Sequence, residues 1–290
     1  MVIIKIAGGL GNQMFQYALA RALESKGKKV LLDCSGYKVQ TQMDTMRNYE
    51  LDRFSIKIEK ASQKEIARYY NHRQRCFYYL SRIIKKDLSK IIIEKEHRYL
   101  PQIAECDNKY LIGYWQSEQY FKIIRKELLE DFSFQNCKLS HQNKKLREEL
   151  FNMKNSVAVH IRGGDYTITG NAALYGDICT REYYQKAFAY IEKIIGQAKF
   201  YIFTNDVIWT QQILSTNLKN VEIIDWNSED DGWIDMYLMS ICKHNIIANS
   251  SFSWWAAWLN QNKEKVVIAP SKWQNGADIE DIVPEEWVRV

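Results

Sequence analysis

The first 33 residues constrain this chain more than any other stretch. The run VIIKIA is apolar and β-branched, and it leads directly into Gly8-Gly9-Leu10-Gly11-Asn12. Beyond the glycines, Phe15, Leu19 and Leu23 recur every four residues as far as Gly27, and VLLD follows at 30–33. These patterns read as a strand, a helix closed by glycine, and a second strand. A strand-loop-helix-strand unit implies a crossover between parallel strands and therefore an α/β fold.

The same alternation returns after the polar stretch 139–155, which is expected to include a connecting helix. Strands are expected at 157–161, 200–203, 221–224, 245–248 and 265–269. Helices fall between most of them; the longest, REYYQKAFAYIEKII, is stopped by Gly196, and others start near Val207, Trp233 and Ser253. This is the pattern of a parallel, doubly wound sheet, whose ligands sit beyond the carboxyl ends of the strands. In the first half a short strand is expected near 110–114 and a helix at 119–129. From Lys60 to Lys90 the chain reads as helical and basic, with arginines interleaved among Tyr69, Tyr70, Phe77, Tyr78 and Tyr79. Two readings stay open there: aromatic residues packed inward beneath a solvated cationic face, or a surface for an acceptor or a membrane.

Composition narrows the function classes. With 290 residues, 46% hydrophobic, 26% charged and three prolines, the chain is expected to be packed rather than disordered. A net charge of +5 suits a small anionic ligand and gives no reason to expect nucleic acid. Six scattered cysteines without a C-x-x-C pair favour a reducing compartment. The opening apolar run is too short for a signal peptide, and none approaches the ~18 residues of a membrane span. The expectation is a cytoplasmic protein with at most a peripheral contact at the inner membrane face.

Three segments carry chemistry. In the first, Gly9 and Gly11 lie between a strand and a helix, where backbone N–H groups can meet a phosphate or a sugar. A dinucleotide fingerprint would need a third glycine where Met14 stands, although Asp33 does suit a ribose-binding acid. A tight turn that simply needs glycine geometry is the competing reading. The second is His160-Ile161-Arg162-Gly163-Gly164-Asp165-Tyr166 at the end of a strand. Alternation along VAVHIR puts His160 and Arg162 on one side. The planar fork of arginine suits a phosphate, whereas an Arg162–Asp165 ion pair bracing the loop would be structural. In the third, Asn249 to Ser253 follow a strand and open a helix, so Ser250 and Ser251 offer hydroxyls and backbone N–H groups to a diphosphate, or serve as an ordinary cap.

Gly-Gly-Leu-Gly-Asn-Gln-Met-Phe-Gln-Tyr, His-x-Arg-x-Gly-Asp-Tyr and Asn-Ser-Ser-Phe-Ser-Trp-Trp, with Phe-Thr-Asn-Asp and Asp-Met-Tyr-Leu-Met-Ser between the last two, resemble family 11 of the glycosyltransferases, the α-1,2-fucosyltransferases. The similarity covers nearly the whole chain. It implies a GT-B fold, two Rossmann-like domains facing a central cleft, with 1–150 on the acceptor side and 151–290 binding the donor. It also implies a GDP-β-L-fucose donor, inversion of configuration, no metal and no cofactor, and the 2-hydroxyl of a terminal β-galactoside as acceptor.

By that resemblance Arg162 binds the β-phosphate, and Ser250 and Ser251, in the segment that also holds Asn249 and Phe252, support the diphosphate. Asn12, beside Gln13 in the glycine loop, reaches into the cleft. His160 contacts the nucleotide, Thr204, Asn205 and Asp206 line its ribose or base, and Asp235 falls where related enzymes place the carboxylate that reads guanine. A carboxylate can accept both N1–H and N2–H₂ of guanine, which adenine does not present. Asp165 is the first candidate for the base. One departure stands out, since the family usually has a second arginine where this chain has Gly163. Rival readings are a metal-dependent transferase using Glu229-Asp230-Asp231, a segment better read as a solvated loop, a fucosyltransferase of another linkage, and a nucleotide- or glycan-binding protein without activity.

Overall fold

The computed structural model describes residues 1–38, 47–84, 89–95, 98–134, 137–163, 171–214, 219–227, 231–277 and 280–290. The chain divides into two compact units, Met1–Ser133 with Glu280–Ile282, and Phe134–Ile279 with Val283–Val290.

The first unit contains β1 (Val2–Lys5), α1 (Leu10–Ser25), β2 (Val30–Asp33), α2 (Gln63–Tyr69), α3 (His72–Ile84), β3 (Ile91–Ile93), β4 (Tyr110–Ile112) and α4 (Arg125–Asp131). Its strands form one parallel sheet in the order β2-β1-β4-β3. Helix α1 is buried along most of its length, polar residues included. Gly27 follows it at φ +79°, in the left-handed region that a helix stop requires.

The second unit contains α5 (His141–Asn152), β5 (Ser156–Ile161), α6 (Asn171–Tyr175), α7 (Arg181–Ile195), β6 (Lys199–Thr204), α8 (Val207–Ile213), β7 (Val221–Ile224), α9 (Gly232–Ile241), β8 (His244–Ile246), α10 (Ser251–Leu259), β9 (Val267–Ala269) and β10 (Val288–Arg289). Its sheet is parallel throughout, in the order β10-β9-β8-β5-β6-β7. Helix α7 begins at the Thr180 cap and ends at Gly196, φ +75°, and its Tyr184, Ala187, Phe188 and Ile191 bury against Val159, Phe200 and Ile202. Burying one such side chain contributes about 1.5–3 kcal/mol. This cluster is therefore the framework on which the strand ends of the second unit are held.

Both units thus have the parallel α/β architecture expected. Between them the division falls at Ser133–Phe134, ahead of residue 150. Helix α5 belongs with the second unit because Asn143 donates to Asn227 Oδ1 (2.8 Å) and accepts from Trp226 Nε1 (2.8 Å). Two strands lay outside the expectations. The three isoleucines of β3 come directly after a segment read as helix, where a short apolar run has no period of its own, and β10 is a two-residue edge pairing. The helix expected at 119–129 is two 3₁₀ turns followed by α4.

The basic 60–90 segment is two helices, α2 with a Ser62–Glu65 capping box and α3 behind Asn71. Its aromatic residues divide between the two readings. Tyr69 is buried and Tyr70 stacks on Tyr110 at 5.0 Å, whereas Tyr79 of α3 is 59% exposed, as is the aliphatic Ile83 on the same helix at 78%. Among the described residues no helix is long and apolar enough to cross a membrane. None of the six cysteines is in a disulfide.

Candidate functional site

In the second unit β5 leads to β6 and β7 on one side, while β8, β9 and β10 lie on the other. The winding reverses between β5 and β8, and the crevice beyond the carboxyl ends of two such strands is where a parallel sheet receives its ligand. Arg162 is the first residue after β5, and Ser250 is the cap of α10 beyond β8. Arg162 Nη1 donates to Ser250 Oγ at 3.4 Å, so the sheet brings together two motifs 88 residues apart. The first bond of α10 runs from Trp254 N to the Ser250 carbonyl. Helix geometry leaves the N–H groups of Ser251, Phe252 and Ser253 without an intrahelical acceptor, at the positive end of the helix dipole beside Arg162.

His160 stands on β5 with its ring centroid 5.7 Å from that of Phe252. Burial, with the Arg162 guanidinium adding to it, holds its pKa down to about 3, so the imidazole is neutral at pH 7. Its Nδ1 is buried with no hydrogen-bond partner among the described residues, and Tyr184 holds the backbone in place by donating to the His160 carbonyl at 2.8 Å. A buried ring nitrogen in that state beside a guanidinium is suited to a ligand.

Three other expected residues serve the scaffold. Asn249 donates to the carbonyls of Tyr175 (3.1 Å) and Trp273 (3.2 Å) and accepts from Cys179 Sγ (3.4 Å), which fixes the loops around the start of α10. Thr204 Oγ1 accepts from Asp206 N at 3.0 Å, and the Asp206 carboxylate caps α8 by accepting from Trp209 N at 2.9 Å. Asn205, by contrast, reaches back to β5, its Oδ1 accepting from Gly163 N at 3.3 Å.

Asp235, on the first turn of α9, accepts from Asn227 Nδ2 at 2.5 Å, and Asn227 is held in turn by Asn143. Burial raises the Asp235 carboxyl to about 7, with a further push from Asp231. Asn227 follows β7, so the Asp235 carboxylate is tied to the loop beyond that strand. Asp165 lies outside the described residues, as do Glu229 and Asp230. Asp231 is exposed, at the start of α9.

The glycine loop of the first unit is organised around α1. Gly8 has φ +81°, and a side chain there would meet Asn12 Nδ2 at 2.6 Å. Gly9 is the cap of α1 and Gly11 is buried in its first turn. Gln13 is spent on the fold: it donates to the carbonyls of Gly8 (2.9 Å) and Asn48 (2.8 Å) and accepts from Glu50 N (2.9 Å). Gln16 does the same between Ala7 N and the Gly113 carbonyl, both at 2.9 Å. Asn12 instead accepts from Gln116 Nε2 at 2.8 Å. Asp33 is buried and taken up by Tyr110 OH and Ser35 N, a bracing role in place of the ribose contact.

Gln116 was not among the expected residues, nor was Glu94, whose carboxylate accepts from Tyr114 N (2.7 Å) and Trp115 N (3.1 Å). The signal was Gly113 at the end of an apolar run, hidden because the expected strand was carried on through Tyr114.

The family profile described as Glycosyl transferase family 11 matches residues 1–290. The chain belongs to glycosyltransferase family 11. The α-1,2-colitosyltransferase of Escherichia coli is 34% identical over 300 residues, covering 100% of this chain and 99% of that protein. The O-antigen biosynthesis glycosyltransferase WbnK of Escherichia coli is 31% identical over 306 residues, covering 98% and 99%. The galactoside α-(1,2)-fucosyltransferase 2 of Hylobates lar is 25% identical over 263 residues, covering 89% and 69%.

In this family 11 glycosyltransferase the backbone at Gly163 is tightly packed. A Cβ at Gly163 would stand 2.8 Å from Asp206 Cβ, 2.8 Å from Asp206 Oδ2 and 3.0 Å from Trp209 Cδ1. The Cβ of Asp206 is fixed by its capping role and cannot swing away, so the backbone at 163 packs directly on the start of α8. Gly163→Ala is expected to destabilise the protein by about 1–3 kcal/mol, as overpacking does. Thermal melting of the variant beside the unsubstituted protein checks this; an unchanged midpoint would mean that the start of α8 yields easily.

Proposed function

We propose that the chain is a metal-independent, inverting α-1,2-fucosyltransferase that moves L-fucose from GDP-β-L-fucose to the 2-hydroxyl of a terminal β-galactoside. The observation that carries this reading is the pairing of Arg162 with Ser250 where the winding of the sheet reverses, beside the amino end of α10. A leaving diphosphate gathers negative charge as the sugar–oxygen bond breaks. A guanidinium and three helix-end N–H groups are the donors that stabilise such charge without a metal. The neutral His160 adds a ring nitrogen without a second positive charge.

The acceptor hydroxyl attacks the anomeric carbon as GDP departs from the opposite face, which inverts configuration. Asp165 is our candidate for the base that takes the hydroxyl proton. Asp235 reads guanine, an assignment supported by its anchored, acceptor-bearing carboxylate. The relative named WbnK, by its link to O-antigen biosynthesis, supports an acceptor in a surface polysaccharide or its lipid-linked precursor. Cytoplasmic work with at most a peripheral membrane contact suits such an acceptor.

A second reading is favoured by the 34% identity to the colitosyltransferase, namely transfer of colitose from its GDP ester by the same machinery. Incubation of the protein with either GDP-sugar and a β-galactoside, in excess EDTA, followed by linkage analysis of the product, tests both. An α-1,2-fucosylated galactoside is expected. A product only from GDP-colitose transfers the proposal to the second reading, an α-1,3 or α-1,6 linkage overturns the regiochemistry, and turnover that needs added Mn²⁺ overturns metal independence.

A further inference from the structure

The first unit has its own reversal of winding. β1 leads to β2 on one side, while β4 and β3 lie on the other, so a second crevice opens at the carboxyl ends of β1 and β4. A pocket of about 240 Å³ lies there, with Lys5, Glu94 and Tyr114 in its wall and Ile93 and Ile112 as apolar surface. None of these residues belongs to the donor site described above.

The pocket wall is built rather than incidental. Trp115 stands at φ +56°, a left-handed conformation that a bulky side chain avoids unless its surroundings impose it. The Glu94 carboxylate imposes it by accepting from both Tyr114 N and Trp115 N. Glycine is required beside it, since a Cβ at Gly113 would stand 2.5 Å from Glu94 Cβ. The Gly113 carbonyl is held by Gln16, and Gln116 at the far end of the loop donates to Asn12. The loop 113–116 is thereby fixed at both ends, and Glu94 is fixed with it.

The chemistry of the wall selects its ligand. The volume falls below the ~300 Å³ at which pockets begin to accept drug-sized molecules, so one ring fits and a nucleotide does not. An anion would face Glu94 and a cation would face Lys5. A neutral polyol meets both, its hydroxyls donating to the carboxylate and accepting from the ammonium. The Tyr114 phenol stays protonated at pH 7, because burial and then the Glu94 charge raise its pKa against the opposing charge of Arg47. Isoleucine surface suits the C–H face of a pyranose.

We propose that this pocket seats the pyranose ring of the acceptor glycan, with Glu94, Lys5 and Tyr114 as its specificity-determining residues. The assignment rests on the transferase reading above. Ile93→Phe fills the pocket, and Lys5→Met removes one polar group; neither touches the Glu94 bonds to the 113–116 loop. Each is expected to raise the acceptor KM at least about tenfold while leaving the KM for the GDP-sugar within about twofold. Glu94→Gln should do the same. In the absence of donor, saturation-transfer NMR with methyl β-D-galactopyranoside should show contact to the unsubstituted protein and none to Ile93→Phe.

Unchanged acceptor KM in Ile93→Phe and Lys5→Met, in a protein that does transfer fucose, overturns the pocket and leaves the transferase reading intact. An equal rise in donor KM also overturns it. If no sugar is transferred but the NMR contact is present and lost in Ile93→Phe, the pocket stands and the transferase reading falls.

Discussion

Replacing Arg162 by alanine is expected to lower the transfer rate about 10³-fold, the scale on which an arginine that neutralises a departing phosphate acts. Three features make the loss this large. The guanidinium lies where the winding reverses, it contacts the cap of α10 through Ser250, and its neighbour at 163 is a glycine that brings no charge of its own. Arg162→Lys keeps a point charge but loses the fork, and should fall between the two. The measurement is steady-state kcat with GDP-fucose, accompanied by a melting curve, since Arg162 is partly exposed and its removal should leave the core intact. A folded Arg162→Ala protein that keeps more than about a tenth of the rate would move the centre of the site elsewhere.

The second large effect concerns Asp235. Asp235→Asn removes an ionised acceptor from a partly buried site, and hydrogen bonds to a charged group contribute about 1.5–3 kcal/mol, which corresponds to roughly 10- to 150-fold in GDP affinity. pH gives an independent signature. Burial raises this carboxyl to about 7, so the folded protein holds a proton there that the unfolded chain has released above the ordinary Asp range. Its contribution to stability is therefore present at low pH and is lost as pH rises from about 4 through 7. Guanine needs the opposite state, the carboxylate. Calorimetric titration with GDP between pH 6 and 8 should show affinity rising more steeply with pH in the unsubstituted protein than in Asp235→Asn, where only the terminal phosphate of GDP still ionises. Equal slopes in both would remove Asp235 from the base-reading role.

Much of the fold was legible because its signals are local. The span of α7 could be read from its apolar period, with Thr180 before it and Gly196 after it. The alternation of strands and helices was enough to indicate parallel sheets and to direct attention to the strand ends, where Arg162 and Ser250 meet. What each polar residue does there was not legible in the same way. Asn249 and Gln13 lie inside motif segments, yet their amides are consumed by backbone carbonyls up to 74 and 35 residues away, and no spacing rule reports on such bonds. Likewise α5 reads as a connector, and only the Asn143 contacts to Trp226 and Asn227 assign it to the second unit.

The sequence by itself determined the α/β class, most element positions, the family and the arginine on which the chemistry is proposed to depend, because periodicity, capping and motif order act over a few residues at a time. Only the tertiary structure decided that Gly163 is held free of a side chain by the cap of α8, that Asp235 is kept in place by Asn227, and that Glu94 fixes the loop after β4. Those outcomes depend on which distant segments the sheets bring together, and that is set by the order of strands rather than by any neighbouring residue.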